Sequence, residues 1–361
     1  MKYNPLHYAF TAYFICLGYG TQAQNVAKYS NNFLTIGAGA RNLGMGNAVT
    51  AYISGAEAGY WNPAGLVNSI DSRQISVMHA AYFGNIANYD FAAIAQRIDQ
   101  RTAVAVSLVR LGVDDIPNTL DLVDASGNID YKNLTTFSAA DYGLLASYAR
   151  QSRNAKTKIG INSKIIRRTV GPFATAWGFG LDIGLQHQLG KWQIGAVARD
   201  ITGTYNAWSY NQALLADVFL ATGNVVPEKS VEITAPRLML GIGRIFTLKK
   251  YLTLQTELDF DITTDGRRNT LISQPKFSID PYAGAELAYS NTFFLRTGVN
   301  NIQKQTDFDQ KEYIKFQPNA GVGIRLNQKF KIDYALTDIG SAQNSYYSHV
   351  ISLLIDFGKK Q

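Results

Sequence analysis

From Gln74 to Phe357 the chain is written in segments of about ten residues in which apolar and polar side chains alternate. Successive side chains of a β-strand point to opposite faces, so this pattern describes strands with one apolar and one polar face. Residues 253–262 show it best: Leu254, Leu258, Phe260 and Ile262 share one parity with Thr256, while Gln255, Glu257, Asp259 and Asp261 hold the other. Likewise Phe179, Leu181, Ile183 and Leu185 oppose Asp182 and Gln186, and Phe330, Ile332, Tyr334 and Leu336 oppose Lys329, Lys331 and Asp333. A tilted strand of about ten residues crosses a bilayer, and no run of about 18 apolar residues exists to make a membrane helix. A half-buried soluble sheet also alternates. It seldom keeps the pattern along most of a chain with aromatics at the segment ends, where interfacial girdles sit.

Fourteen strands are predicted, at about 74–82, 88–96, 102–111, 141–149, 157–167, 174–187, 191–200, 237–246, 251–262, 281–289, 292–301, 316–327, 329–337 and 347–357. The connections after even strands, such as 187–191, 247–250, Ser290-Asn291 and Asn327-Gln328, are tight, whereas those after odd strands, such as 112–140, 201–236, 263–280 and 302–315, are long. Only 83–87 breaks the rule. Short periplasmic turns and long extracellular loops are the signature of an all-β, antiparallel transmembrane β-barrel, and an even strand number returns both chain ends to one side. On this parity Leu258→Lys faces lipid and costs about 2–4 kcal/mol, whereas Asp259→Lys is expected to change only lumen charge. The last strand carries Tyr347, His349, Ile351, Leu353, Ile355 and Phe357 on one parity, which looks like an outer-membrane assembly signal, although Gly358 to Gln361 follow the terminal aromatic.

Twelve strand glycines fall on the polar parity: Gly143, Gly160, Gly178, Gly180, Gly184, Gly195, Gly241, Gly243, Gly284, Gly298, Gly321 and Gly323. A wall so lined leaves room for a segment to dock inside, and a barrel of about fourteen strands has more interior than side chains alone fill. The segment that suits this room is 33–66, FLTIGAGARNLGMGNAVTAYISGAEAGYWNPAGL. Its glycines and alanines are too dense for a helix, its apolar residues keep no sustained period, and Pro63 holds Asn62 extended. The domain organisation is then a signal peptide at 1–23, an N-terminal luminal plug at 24–71 and the barrel at 72–361. The signal is read from Lys2, an apolar run over 8–18 and Thr21-Gln22-Ala23, with cleavage after Ala23.

The strings ARNLGMGNA and AGYWNPAGL in this plug resemble the start of the PorV/PorQ family of outer-membrane proteins, relatives of the FadL-type barrels. Residues 112–119 (GVDDIPNT), 200–211 (DITGTYNAWSYN) and 232–237 (EITAPR) are similar to the same family. The resemblance implies the outer membrane of a Gram-negative bacterium and an association with type IX secretion. Members bind cargo or partner proteins of that machinery at the cell surface. The alternative is a FadL-type transporter of a hydrophobic small molecule, suggested by the plug with its Asn62-Pro63-Ala64. Against it, Glu257, Asp259, Arg296, Lys329, Lys331 and Asp333 point inward, so the lumen parity is not densely apolar.

Two groups of residues carry these alternatives. Trp61, Asn62 and Pro63 are the candidate gate at the end of the plug. Trp208, Tyr210 and Phe219 are the candidate partner-binding cap, on a stretch over 208–220 whose apolar residues recur at three and four and which ends at Gly223-Asn224, the pattern of a short amphipathic helix.

Enzymatic readings find little support. Cys16, the only cysteine, lies in the signal segment, and no two of His79, His187 and His349 have metal-ligand spacing. His79 and His349 fall on the lipid parity of the first and last strands, yet no serine and carboxylate complete a hydrolytic constellation with them. Residues 37–46 match neither glycine-rich nucleotide motif. Asp124, Ser126, Asn128 and Asp130 offer oxygens to calcium, but the closing glutamate of a calcium loop is missing and a solvated turn is preferred. No catalytic, cofactor-binding or metal residue is assigned. The net charge of +7 is scattered rather than clustered, which speaks for lipid phosphates or the lumen as its counterpart and against nucleic acid.

Overall fold

The structure, a computed structural model, describes residues 30–68, 72–82, 84–120, 122–123, 127–221, 223–225, 229–306, 311–337 and 348–358. The signal segment and its cleavage site lie outside the described residues, as do Asp124 and Ser126 of the loop considered for calcium.

The described residues contain seventeen strands in one antiparallel sheet: β1 (Arg73–Tyr82), β2 (Ala87–Asp99), β3 (Thr102–Asn118), β4 (Thr135–Gln151), β5 (Thr157–Val170), β6 (Ala174–Leu189), β7 (Trp192–Arg199), β8 (Thr204–Tyr210), β9 (Lys229–Thr234), β10 (Arg237–Lys249), β11 (Leu252–Thr263), β12 (Ile272–Ser273), β13 (Ser278–Tyr289), β14 (Phe293–Thr306), β15 (Glu312–Leu326), β16 (Phe330–Thr337) and β17 (Ser348–Phe357). Fourteen of them go round the barrel, which closes where Arg73 to Ala81 of β1 pair with Phe357 to His349 of β17. The other three are the two-residue β12 and the hairpin β8–β9.

Sequence alternation does not predict that hairpin, and the wall needs it. β7 stops at Arg199, so only the lower part of β6 pairs with it, from Ile183 opposite Ala198 to Leu189 opposite Trp192. Higher up, Ala174 to Phe179 pair instead with Tyr210 to Tyr205 of β8, which continues the wall above β7.

Turn chemistry sets the sidedness. Ser290 and Asn291 both take positive φ, at 50° and 52°, which makes the two-residue link between β13 and β14 the twisted kind that hairpins favour. The tight links and both ends of the barrel chain lie on one side, the periplasmic side by the barrel rule, and the long loops lie on the other. Several strands, notably β3, β4 and β15, run beyond the ends read from alternation because their ladders continue into the loops on the long-loop side.

The two faces invert the pattern of a soluble protein. Ile159, Leu295 and Ile351 stand exposed outside, while Glu257, Asp259, Lys164, Asn162 and Arg296 are buried inside. The lumen is filled by residues 30–68, which form short turns rather than one element. Two are α-helical, α1 (Ala40–Gly44) and α2 (Ala58–Trp61), and three more are 3-10 turns, Asn32–Thr35, Gly55–Glu57 and Pro63–Val67. Glycine density opposes a long helix here, as expected, while the alanines Ala40 and Ala58 open isolated helical turns. Beyond the barrel's long-loop side, α3 (Gln212–Ala221) links β8 to β9.

Candidate functional site: a sealed lumen below an open vestibule

The lower plug sits on glycine. An added Cβ at Gly160 would run into the backbone of Pro63 and Ala64, and one at Gly184 would stand 2.8 Å from Pro63 Cδ. Positions Gly143, Gly195, Gly241, Gly243, Gly284, Gly298 and Gly321 likewise face plug atoms, from Leu34 to Tyr52. Nine of the twelve inward glycines are therefore the seat of the plug, and the remaining three, Gly178, Gly180 and Gly323, face barrel residues and the β8 hairpin. Backbone approaches backbone most closely at Gly298, whose added Cβ would run into the carbonyl carbon of Met45 and the nitrogen of Gly46, and the plug glycine Gly44 lies in turn against Gly321, its added Cβ 3.1 Å from Gly321 Cα.

Polar side chains of the wall then satisfy the plug's irregular backbone, which would otherwise be buried unpaired. Asp259 Oδ2 accepts from the N–H groups of Val49 and Thr50, each at 2.9 Å, and Glu257 Oε1 accepts from Ala51 N–H at 2.5 Å. Gln186 Nε2 donates to the Ile53 carbonyl at 3.0 Å, and the Arg199 guanidinium donates to the carbonyls of Tyr60 and Trp61 at 3.1 and 3.2 Å. Asp259 is thus no interchangeable lumen charge. Its carboxylate pins the plug, which corrects the expectation that Asp259→Lys changes charge alone.

Trp61, Asn62 and Pro63 meet at this seat. Asn62 is fully buried and extended, at φ −148° and ψ 104°, as Pro63 requires. Its Nδ2 donates to the carbonyls of Thr50 and Leu185, at 2.9 and 3.1 Å, and its Oδ1 caps the following turn at Ala64 N–H. Trp61 is buried, donates Nε1–H to Ala38 O at 2.8 Å and lies edge-on to Tyr60. The three residues tie three parts of the plug to each other and to β6.

Inside the plug, Glu57 is buried beside Asn42 and Ser76, which donate to its carboxylate at 2.7 and 2.9 Å. Burial pushes its carboxyl above the usual range and the neighbouring Asp333 adds to this, with the two hydrogen bonds opposing. Next to it Arg41 pairs with Glu286 at 2.9 Å, and Glu286 also accepts from Arg296 at 2.6 Å, an ionic clasp between α1 and the wall. The upper end of the plug reaches the unforeseen hairpin, where Ser30 donates to Glu232 and Asn31 to Thr234, both at 2.9 Å.

Above the plug lies a cavity of about 590 Å³. One side is apolar, made by Ile36 and Leu43 of the plug with Tyr82, Leu111 and Val113 of β1 and β3. The other is polar and carries Arg237, Asp261, Asp280, Tyr282 and Arg268, with Arg237 bound to Asp261 at 2.9 Å. These lining positions lie toward the long-loop ends of their strands, so the vestibule sits on the side away from the chain termini.

The cap differs from its sequence reading. Trp208 and Tyr210 lie on β8, not on a helix, and the helix begins only at Gln212. The aromatic spacing of three and four was coincident with strand alternation: Tyr205, Ala207 and Ser209 are exposed, whereas Thr204, Asn206 and Trp208 are buried. Trp208 stacks on Tyr210 and lies under the Arg168 guanidinium, 5.0 Å from the ring centre. Phe219 does lie on α3, half-buried. The three cap residues therefore form no single exposed face. Exposed apolar groups stand elsewhere on the long-loop side, as Val123, Ile129, Tyr131 and Leu134 between β3 and β4, and as Leu214 and Leu220 of α3. Sequence reading passed over the first group because they lie in a loop without periodicity. Among the described residues, no group of three or more His, Cys, Asp or Glu could hold a metal ion.

Comparison with solved structures agrees on architecture. The chain is similar to the CymD monoaromatic hydrocarbon channel, with a TM-score of 0.57 and 13% identity over 90% of this chain and 98% of that one. It is similar to the Pseudomonas putida toluene transporter TodX, with a TM-score of 0.55 and 14% identity over 90% and 99% of the two chains. A Pseudomonas aeruginosa FadL homologue follows at 0.52 and 13%, covering 89% and 98%. Identities this low show a shared FadL-like fold. No curated protein matches the sequence. Residues 19–202, about half of the chain, match the family described as type IX secretion system protein PorV. The chain is a member of the PorV family.

Proposed function

We propose that the protein resides in the outer membrane of a Gram-negative bacterium as a non-catalytic component of type IX secretion, and that it binds partner or cargo proteins on its extracellular side. The observation that carries this reading is the contrast within one molecule between a lumen stoppered by a hydrogen-bonded plug and apolar side chains left exposed beyond the membrane. A stoppered barrel offers a surface more readily than a path. In this reading the exposed Ile129, Tyr131 and Leu134 make the contact together with Leu214 and Leu220. Trp208, Tyr210 and Phe219 brace the hairpin and helix that present them. The test is co-purification from mildly solubilised outer membranes. Replacing Ile129, Tyr131 and Leu134 by Ser removes a bound protein while the barrel stays folded, because buried apolar anchors dominate interface energies. Retention of every partner by that triple variant refutes the reading.

One observation favours a second reading, uptake of a hydrophobic small molecule: the vestibule has an apolar side against the plug, and the similar structures are described as a monoaromatic hydrocarbon channel and a toluene transporter. Trp61, Asn62 and Pro63 would then be the gate. Asn62→Ala with Pro63→Ala alters toluene uptake in that case, and leaves it unchanged if they only anchor the plug.

A further inference from the structure

On the outside of the barrel, strand register aligns an ionic row. His79 of β1 stands opposite Asp90 of β2, Asp90 opposite Arg110 of β3, Arg110 opposite Tyr142 of β4, Tyr142 opposite Arg167 of β5, and Arg167 opposite Trp177 of β6. Their sequence neighbours Met78, Tyr89, Val109 and Ile166 are buried in the lumen, so these six side chains point away from it. His79 Nδ1 lies 2.7 Å from Asp90, and Arg110 reaches Asp90 at 3.3 Å and Asp114 of its own strand at 3.8 Å. Arg167 pairs with no carboxylate among the described residues. Its guanidinium lies 4.7 Å from the centre of the Trp177 ring.

The rows on either side define the level. The next outward row toward the periplasm is wholly apolar across the same strands: Val77, Ala92, Leu108, Leu144, Ile165 and Phe179. The next row toward the long loops is small: Ala81, Asn88, Gly112 and Ala140. The Arg110 head lies over Gly112, where an added Cβ would come within 2.5 Å of it, so the arginine reaches away from the apolar row. Charge on an outward barrel face is penalised most at the bilayer midplane and little at the interface. Because the strands are tilted the row climbs across the wall, and its arginines on β3 and β5, toward the long-loop ends of those strands, are the part placed toward the outer headgroups. Across the barrel, the outward residues at the long-loop ends of β10, β11 and β13 are Leu238, Ile262 and Ile279, with no charge. The ionic row belongs to one side of the molecule.

We propose that this row is a binding site for a phosphorylated lipid of the outer leaflet. Arg110 and Arg167 stand on either side of Tyr142 in the row. Arg167, which pairs with no carboxylate among the described residues, offers its forked donors to a phosphate, and Arg110 adds the donors its pairs with Asp90 and Asp114 leave. The small row above leaves room for the headgroup, and the apolar row below receives the acyl chains. Asp90 orients Arg110 and His79 and takes any cationic substituent of the headgroup. A protein partner on this face is the competing occupant. It has less support, because the apolar row beneath is continuous and the ladder carries the Tyr142 and Trp177 rings typical of a lipid interface.

The test titrates the detergent-solubilised full barrel with phosphatidic acid and with diacylglycerol of the same chains, read by native mass spectrometry. The expected result is a preference for phosphatidic acid of about tenfold or more, lost in Arg110→Gln/Arg167→Gln and kept in His79→Gln. Heat-modifiability verifies folding, and Arg167→Gln alone, which breaks no ion pair, carries the test if the double variant does not fold. Equal binding of the two lipids by the native protein, or an undiminished preference in the arginine variants, overturns the proposal. So does a photoreactive group at Tyr142 that captures a protein and no lipid in native membranes.

Discussion

Asn62 and Tyr131 mark the two extremes of this molecule. Asn62 is wholly buried, held by three hydrogen bonds on a seat of glycine, whereas Tyr131 is 73% exposed on a loop beyond the membrane. In the lower lumen the irregular stretch 49–53 of the plug meets wall residues placed for it: Asp259 for Val49 and Thr50, Glu257 for Ala51, Gln186 for Ile53. On the crown, apolar groups remain without such counterparts. The difference separates what the chain uses to hold its plug from the exposed groups that the proposed function takes as a recognition surface.

The comparison breaks most visibly at Asp259. Asp259→Lys removes the acceptor of two buried N–H groups and leaves a buried cation in its place, which should disfavour plug docking by about 3–5 kcal/mol. Limited proteolysis then cuts within the plug while the barrel remains heat-modifiable. Its neighbour Leu258→Lys faces lipid instead and weakens the barrel by about 2–4 kcal/mol with the plug still docked. If both variants show the same defect, the two faces of β11 have been assigned wrongly.

Gly160→Val is the next smaller effect. Its side chain meets the backbone of Pro63 and Ala64, which cannot give way as a side-chain tip could, so overpacking of about 1–3 kcal/mol is expected, again read as plug protease sensitivity. On the crown the sign of the comparison reverses. Tyr131→Ser should change stability by no more than about 0.5 kcal/mol, yet reduce the recovery of a bound partner. A barrel destabilised by Tyr131→Ser would mean that the crown, too, is structural.

The sequence discloses the wall better than the site because a barrel strand repeats its rule at every second residue. Alternation at Leu254 to Ile262 and the tight Ser290-Asn291 link needed no knowledge of distant contacts. Glycines on the polar parity even foretold a docked segment. The β8–β9 hairpin was hidden because it exists to extend β6 past the end of β7, a need visible only once the register of those strands is set. Trp208 and Tyr210 misled because a spacing of two within a short strand and a helical spacing share several positions over so few residues. Asp259 looked like a solvated lumen charge because its partners, the N–H groups of Val49 and Thr50, are 210 and 209 residues away in the chain.

The central claim, that the work is done on the crown over a closed lumen, can be tested by locking the plug. Gly59 of α2 faces Ser147 of β4, and a Cβ at Gly59 would stand 3.7 Å from Ser147 Cβ, the separation a disulfide requires. Gly59→Cys with Ser147→Cys, and Ser107→Ala to relieve the 2.9 Å approach of Ser107 Oγ, ties plug to wall in a chain whose single cysteine, Cys16, precedes the plug in the stretch expected from its sequence to be a signal peptide. The measurement is type IX secretion and partner co-purification in cells carrying this variant, oxidised and then reduced. Full activity with the disulfide closed is the predicted result. Activity lost on oxidation and restored by reduction would show that the plug must move, and would contradict the account.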